Sequence, residues 1–160
     1  MSSIRVGFGH DVHQLKEGLP LLVGGVSIPH SSGAYGHSDA DVLIHAIMDA
    51  LLGACDLRDI GQHFPNSDPS LKGADSKLLL AQVVGMMHEC GFKLSNVDAT
   101  VCLQQPSISD YIPQMKQSLA DILMVGKNQV SIKATTTERL GYIGSGHGIS
   151  AYAVVLVSSR

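Results

Sequence analysis

His37-Ser38-Asp39-Ala40-Asp41-Val42-Leu43-Ile44-His45-Ala46-Ile47-Met48-Asp49-Ala50-Leu51-Leu52-Gly53-Ala54 is the stretch on which the reading of this chain turns. Its polar start gives way to an apolar run with helical spacing. Val42, Leu43, Ile47, Ala50, Leu51 and Ala54 supply a broad face to bury, while Asp41, His45 and Asp49 recur at i, i+4 and i+8 on one polar stripe. Ser38, with Asp41 three residues on, has the pattern of a capping-box-like helix start, which predicts a helix running to about Ala54. A polar stripe cut into a buried helix must find partners, because an unpaired polar group loses free energy when it leaves water.

The partners are found upstream. Ile4 to His10 reads as a strand, and an Asp11-Val12-His13 triplet on extended backbone puts both polar side chains on one face, since the strand period is two residues. Asp11, His13 and His45 together make two imidazoles and one carboxylate, the donor set of a catalytic zinc with one coordination position open. Asp41 and Asp49, one helical turn to either side of His45, are the expected second carboxylates that orient imidazole N–H groups.

The rest of the chain frames this site. Pro20 to Pro29 is expected to be one strand bent at Gly24-Gly25, and His30 to Gly36 a turn. Asp56 to Gly73 reads as a long loop with specific turn residues, a length that is often functional. A second helix is predicted over about Asp75 to Cys90, with Leu78, Leu79, Val83, Met86 and Met87 facing inward and Gly91 ending it. Val97, Ala99, Val101 and Leu103 alternate as a strand, and a third helix spans about Ser109 to Val125, with Pro113 in its first turn. Val130 to Thr135 and Ile149 to Ser158 are the last strands. The order β-β-α-α-β-α-β-β predicts a single α+β domain over residues 1–160, a mixed β-sheet with helices packed on one face.

Composition limits the function. With 160 residues, 44% hydrophobic and only 16% charged, the chain is rich enough in apolar surface that an oligomer is expected. A net charge of −3 and the lack of any Lys/Arg run argue against nucleic acid or an anionic membrane as partner. Cys55, Cys90 and Cys102 are odd in number, widely spaced and set in apolar runs, so all three are expected to be buried small hydrophobes in a reducing compartment. The start of the chain carries no signal-peptide core and no apolar run approaches a membrane span, so a cytoplasmic location is expected, or a plastid stroma if a targeting segment was removed.

Two further clusters carry polar chemistry. Lys133-Ala134-Thr135-Thr136-Thr137-Glu138 closes a strand with hydroxyl and N–H donors, and Glu138 is able to hold a hard cation between phosphate oxygens. Gly144-Ser145-Gly146-His147-Gly148 lacks the following helix of a phosphate loop and reads as a glycine turn.

These residues converge on one likeness. Asp11-Val12-His13, Gly24-Gly25-Val26, the His37 to Asp49 pattern, Ala50 to Ala54, Asp59-Ile60-Gly61, Phe64-Pro65 with Asp68-Pro69, Lys72 to Ser76, Asn96-Val97-Asp98 and Lys133 to Glu138 closely resemble the 2-C-methyl-D-erythritol 2,4-cyclodiphosphate synthase family, in order and without large gaps. The resemblance implies an enzyme of the non-mevalonate isoprenoid pathway, a phosphorus-oxygen lyase. It would turn a nucleotide-linked substrate, 4-diphosphocytidyl-2-C-methyl-D-erythritol 2-phosphate, into the cyclic diphosphate and CMP. It also implies a homotrimer with active sites between subunits, zinc on Asp11, His13 and His45, and magnesium or manganese placed by Glu138. His37 and Thr136 would be the catalytic groups that stabilise the transition state. Substrate would be held by Asp11, Val12, His13, His37, Ser38, Asp59, Ile60, Gly61, Phe64, Pro65, Asn66, Ser67 and Asp68, and by Leu103, Gln104, Gln105, Pro106, Ser107, Ile108, Ser109, Thr135, Thr136, Thr137, Glu138, Tyr142 and Ser145.

Two departures from the family pattern stand out. Ser107 occupies a loop position where members often carry Lys, and with that Lys goes the expectation of a cationic phosphate contact. Ser145 and Tyr152 stand where members often carry an Arg and a Glu facing the threefold axis, so an axial diphosphate ligand is less expected here. From the residues alone a zinc-dependent hydrolase and a trimeric module with a structural metal remain open; the first predicts linear products, the second a closed site of four protein ligands.

Overall fold

The computed structural model describes residues 3–160. In chain order the elements are β1 (Ile4–Glu17), β2 (Leu21–Val23), β3 (Val26–Ile28), β4 (Ser32–Tyr35), α1 (Val42–Ala54), α2 (Ile60–His63), α3 (Ser76–Glu89), β5 (Phe92–Cys102), α4 (Ile112–Leu123), β6 (Val130–Thr135), α5 (Gly141–Gly144) and β7 (Gly148–Ser159). Five strands form one sheet in the order β4-β1-β7-β5-β6. Every pairing is antiparallel except β5 with β6, which α4 connects as a parallel crossover. The sheet is therefore mixed, as the sequence predicts, and α1, α3 and α4 line its inner face.

The period of two along β1 fixes the layer geometry. Gly7 and Gly9 face inward ahead of Asp11 and His13, while Ile4, Val6, Phe8, His10 and Val12 face the opposite side and stay exposed. A Cβ on Gly7 would lie 1.8 Å from the Ala50 carbonyl oxygen, and one on Gly9 would lie 1.9 Å from that of Ala46. Missing side chains on the strand and small ones on the helix let α1 lie directly on β1. The polar stripe of α1 then meets the polar end of the strand's inner face. Core side chains of Leu43, Ile47, Leu51, Leu80, Met87, Met115 and Leu119 close the layers around this contact.

Several local expectations are corrected. Pro20 to Pro29 is not one bent strand. Gly24 (φ +60) and Gly25 (φ +74) turn β2 back onto β3 as a hairpin, whose tight turn needs left-handed backbone at both central positions. His30 to Gly36 contains the edge strand β4, paired with the end of β1. Asp41, not Ser38, caps α1 by accepting from Ile44 N–H, and the same carboxylate accepts from Gly24 and Gly25 N–H at 2.9 and 2.7 Å. The loop from Asp56 to Gly73 folds α2 and a short 3-10 turn at Pro69–Leu71. Leu78 points outward, 65% exposed, whereas Leu79, Leu80, Val83, Val84 and Met87 face the core. Nor are the cysteines uniformly buried: Cys55 is, Cys102 is half-buried and Cys90 is exposed. Burial, with the Cys90 thiol alongside, pushes the Cys55 thiol up to about 11.

Candidate active site

Asp11 Oδ2, His13 Nε2 and His45 Nδ1 form a triangle with edges of 2.9, 3.0 and 3.2 Å. The two strand residues reach it from the inner face of β1, and His45 reaches it from α1, 7% exposed. Tetrahedral zinc with ligand bonds of about 2.0–2.2 Å sets its donor atoms roughly 3.3 Å apart, so the triangle has the size of three corners of such a site. The other ring nitrogens are already supplied. His13 Nδ1 lies 3.1 Å from the Tyr35 carbonyl oxygen, and His45 Nε2 lies 2.9 Å from Ser76 Oγ and 3.1 Å from Ser38 Oγ. Each imidazole can thus keep its proton on the outer nitrogen and turn a lone pair inward.

Two lone pairs and a carboxylate oxygen converging on one point repel one another unless a cation, or protons, lie between them. Burial works against charge on Asp11, yet its hydrogen bonds to His13 and His45 hold its carboxyl down to about 2. His13 is raised in turn: burial disfavours its charge, but the Asp11 carboxylate outweighs burial. Among the described residues only three His, Cys, Asp or Glu donors gather here, which leaves a fourth corner to a non-protein ligand and counts against a closed structural site.

The triangle forms part of the wall of a cavity of about 350 Å³ lined also by Gly36, His37, Ser38, Met48, Ile60, Gly61, Phe64, Asn66, Leu71 and Leu79. His37 is fastened to the loop by Nε2 at 3.2 Å from the Asp68 carbonyl oxygen and by its own carbonyl, which accepts from Gly73 N–H. Asp59 caps α2, and Ser70 N–H and Oγ donate to Asp68, lowering its carboxyl below the ordinary range. Pro65, Ser67 and Asp68 do not line this cavity, and the Val12 side chain lies on the opposite face of the sheet.

Asp41 and Asp49 do not orient the imidazoles. The three N–H groups of Gly24, Gly25 and Ile44 occupy Asp41, while Asp49 accepts from Ile60 N–H at 2.7 Å and ties α1 to α2. Burial raises both carboxyls above the ordinary range. The groups that do meet His45 are Ser38, which the sequence singled out as a substrate contact, and Ser76, which it did not assign a role. The signal for Ser76 was faint: a serine just after a capping Asp75, 31 residues from its partner.

A second cavity, also about 350 Å³, opens at the carboxyl ends of the parallel strands β5 and β6 and is lined by Leu103, Gln104, Pro106, Ser107, Ile108, Ser109, Ala134, Thr135 and Thr136. Beyond β6, Glu138 (φ +52) and Arg139 (φ +63) adopt consecutive left-handed conformations that favour glycine, a strain that clusters at functional sites. The turn is pinned by Thr137 Oγ1 donating to Leu140 O and by Arg139 N–H donating to Gln104 Oε1. Thr136 Oγ1 lies 3.3 Å from Glu138 Oε1, two hard oxygen donors side by side. Gln104 and Gln105 border a third cavity with Ser145 and Arg139; Ser145 Oγ lies 2.8 Å from His147 Nδ1, and the exposed Tyr142 ring packs over Gly148. The metal triangle and Thr136 border separate cavities within the chain, and Thr137 and Glu138 line neither of the two.

The model of the YgbB family matches residues 4–158. A 2-C-methyl-D-erythritol 2,4-cyclodiphosphate synthase of Porphyromonas gingivalis is 58% identical over 153 residues, 96% of this chain and 94% of that protein. The chain belongs to the YgbB family. Solved structures agree: the bifunctional IspDF of Campylobacter jejuni superposes with a TM-score of 0.96 at 39% identity, over 100% of this chain and 43% of that longer one. The Plasmodium falciparum IspF structure in complex with CDP superposes at 0.87 with 32% identity, over 99% of this chain and 97% of that one. The YgbB assignment thus covers the metal triangle, the loop after α1 and the turn after β6 together.

Proposed function

We propose that this chain closes 4-diphosphocytidyl-2-C-methyl-D-erythritol 2-phosphate into 2-C-methyl-D-erythritol 2,4-cyclodiphosphate with release of CMP. The observation that carries the reading is the convergence of Asp11, His13 and His45, three acceptors within 3.2 Å of one another in the wall of a cavity, in a chain 58% identical to a synthase of that name. The substrate supplies its own nucleophile. A 2-phosphate oxygen bonds to the phosphorus carried on the erythritol 4-oxygen as the bridge to the cytidylyl phosphate breaks, and CMP leaves with that bridging oxygen. No Ser, Cys or Lys nucleophile is needed, so the protein's work is positioning and charge neutralisation.

Zinc held by Asp11, His13 and His45 would supply Lewis acidity at a diphosphate oxygen, and magnesium or manganese held at Glu138 would neutralise further phosphate charge. His37 and Thr136 are read as the donors that meet charge developing on the transferred phosphoryl group. Ile60, Gly61, Phe64 and Asn66 would enclose the erythritol end, and the 103–109 loop with Thr135 and Thr136 the cytidylyl end, with Thr137 and Glu138 on the turn that follows.

That division supports a site completed between copies, because the two cavities have separate linings within one chain. The outer sheet face supports it too: Ile4, Val6, Phe8, Val12, Tyr152 and Val154 leave a run of apolar side chains exposed on adjacent strands β1 and β7, the surface a homotrimer would bury. The reading takes residues 1–160 as one synthase domain at work in the cytoplasm or an equivalent stroma; none of its described helices is long and apolar enough to cross a membrane. Incubation with the cytidylylated phosphate and magnesium, followed by phosphorus NMR, tests it: cyclic diphosphate and CMP in equal amounts are expected, and linear phosphates alone would overturn it.

A further inference from the structure

His45 can serve a metal through Nδ1 only if its proton stays on Nε2, and something must hold it there. Ser76, fully buried at the first residue of α3, presents Oγ 2.9 Å from that nitrogen. A serine hydroxyl has one hydrogen to give, and its direction is decided by Asp39. The Asp39 carboxylate accepts the Ser76 hydroxyl in a short hydrogen bond through Oδ1 and the Ser76 N–H through Oδ2 at 2.9 Å. With its hydrogen committed to a group that only accepts, Ser76 Oγ is left with lone pairs toward His45 and must receive the Nε2 proton. Asp39 is itself fastened, its N–H donating to the Ala74 carbonyl at 3.1 Å while Gly73 N–H donates to His37 O at 2.8 Å.

We propose that Asp39 and Ser76 form a hydrogen-bonded relay that fixes the tautomer and ring orientation of His45, making Ser76 a positioning residue for the metal centre. The relay rests on the reading that Asp11, His13 and His45 hold a metal. Ser38 Oγ also lies near His45 Nε2, at 3.1 Å, but it accepts from Ala40 N–H and no carboxylate directs its hydrogen, so it cannot choose the tautomer by itself. A purely structural alternative exists, in which Asp39 merely caps the start of α3. The two differ in what they do to the metal. Outer partners of metal-bound histidines typically contribute about 10–100-fold in affinity, whereas a helix cap contributes to folding stability alone.

The test uses the full chain stripped of metal, with zinc affinity measured by competition against a chromogenic chelator for the wild type, Ser76→Ala and Asp39→Asn. Long-range proton–nitrogen NMR of the zinc-loaded proteins reads the His45 tautomer, and the visible spectrum of the cobalt-loaded proteins reads the ligand field. The expected result is a zinc dissociation constant about 10–100-fold higher in Ser76→Ala, a smaller rise in Asp39→Asn, loss of the pure Nε2–H signal, and an altered cobalt spectrum. Zinc affinity within twofold of wild type, with the tautomer unchanged, would overturn the relay. Should Ser76→Ala not fold, Asp39→Asn decides by the same readouts. If wild type binds zinc and the variants bind it equally, only the relay falls; if wild type binds neither zinc nor cobalt, the metal reading falls and takes the relay with it.

Discussion

Gly9 and Ala46 meet backbone to backbone: the place where a Cβ on Gly9 would stand is 1.9 Å from the Ala46 carbonyl oxygen. That contact sets the height of α1 above β1, and hence the reach of His45 to Asp11. Gly9→Ala is expected to force the layers apart, destabilising the fold by about 3 kcal/mol, a fall in Tm of roughly 6–12 °C. Thermal denaturation followed by circular dichroism checks it. An unchanged Tm would mean that the helix does not rest on the strand here.

His45→Ala removes one corner of the triangle while leaving the α1 core of Leu43, Ile47 and Leu51 in place. The expected protein is folded, binds less than one zinc per chain, and turns over more than ~100-fold slower than wild type, because loss of a ligand should exceed the effect of losing an outer partner. Metal analysis beside a melting curve reads this out. Full zinc occupancy in the variant would remove His45 from the ligand set.

The metal-free protein should respond to pH through Asp11 and His13. Asp11 is depressed to about 2 from 3.8, so its contribution is present above about pH 4 and lost as pH falls toward 2. His13 is raised above 6.5, so its contribution is complete below that value and lost as pH rises through its folded value. The burial-raised carboxyls of Asp41 and Asp49 also favour the lower pH. The Tm of chelator-treated protein is therefore expected to decline from mildly acidic to mildly alkaline pH, and zinc affinity to rise over the same interval as His13 gives up its proton. A Tm that climbs across that interval would contradict the Asp11–His13 pairing.

Phe8, 62% exposed with its ring stacked 6.4 Å from that of Tyr152, sits in the middle of the bare sheet face. Phe8→Glu is expected to leave the secondary structure intact, break a trimer into single chains and abolish turnover, since a charge would be buried without a partner. Sedimentation velocity distinguishes the outcomes. A wild type that sediments as one chain, or a variant that stays assembled, would reject this face as the interface.

Much of the frame was legible from local pattern. The alternation of Val97, Ala99 and Val101 marked β5, and the spacing of Asp11 and His13 put both on the face that meets α1. What escaped the sequence depends on bonds between distant segments. Asp41 looked like a helper for His45, but the hairpin turn at Gly24 and Gly25 claims its carboxylate from 16 and 17 residues away. Strand β4 is too short and too small in its side chains, Ser-Gly-Ala-Tyr, to announce itself, and exists because the end of β1 pairs with it. Ser76 is an ordinary helix start until α3 packs beside α1 and brings it to His45.

The central claim is that the substrate's own phosphate, not water, attacks the diphosphate. Turnover of the cytidylylated phosphate in water enriched in the heavy oxygen isotope, with the products weighed by mass spectrometry, tests it most directly. The account requires that neither the cyclic diphosphate nor CMP gain a solvent oxygen, and that both cease to form after chelation and return with zinc and magnesium. One heavy oxygen incorporated per turnover, into CMP or into a linear diphosphate, would contradict it.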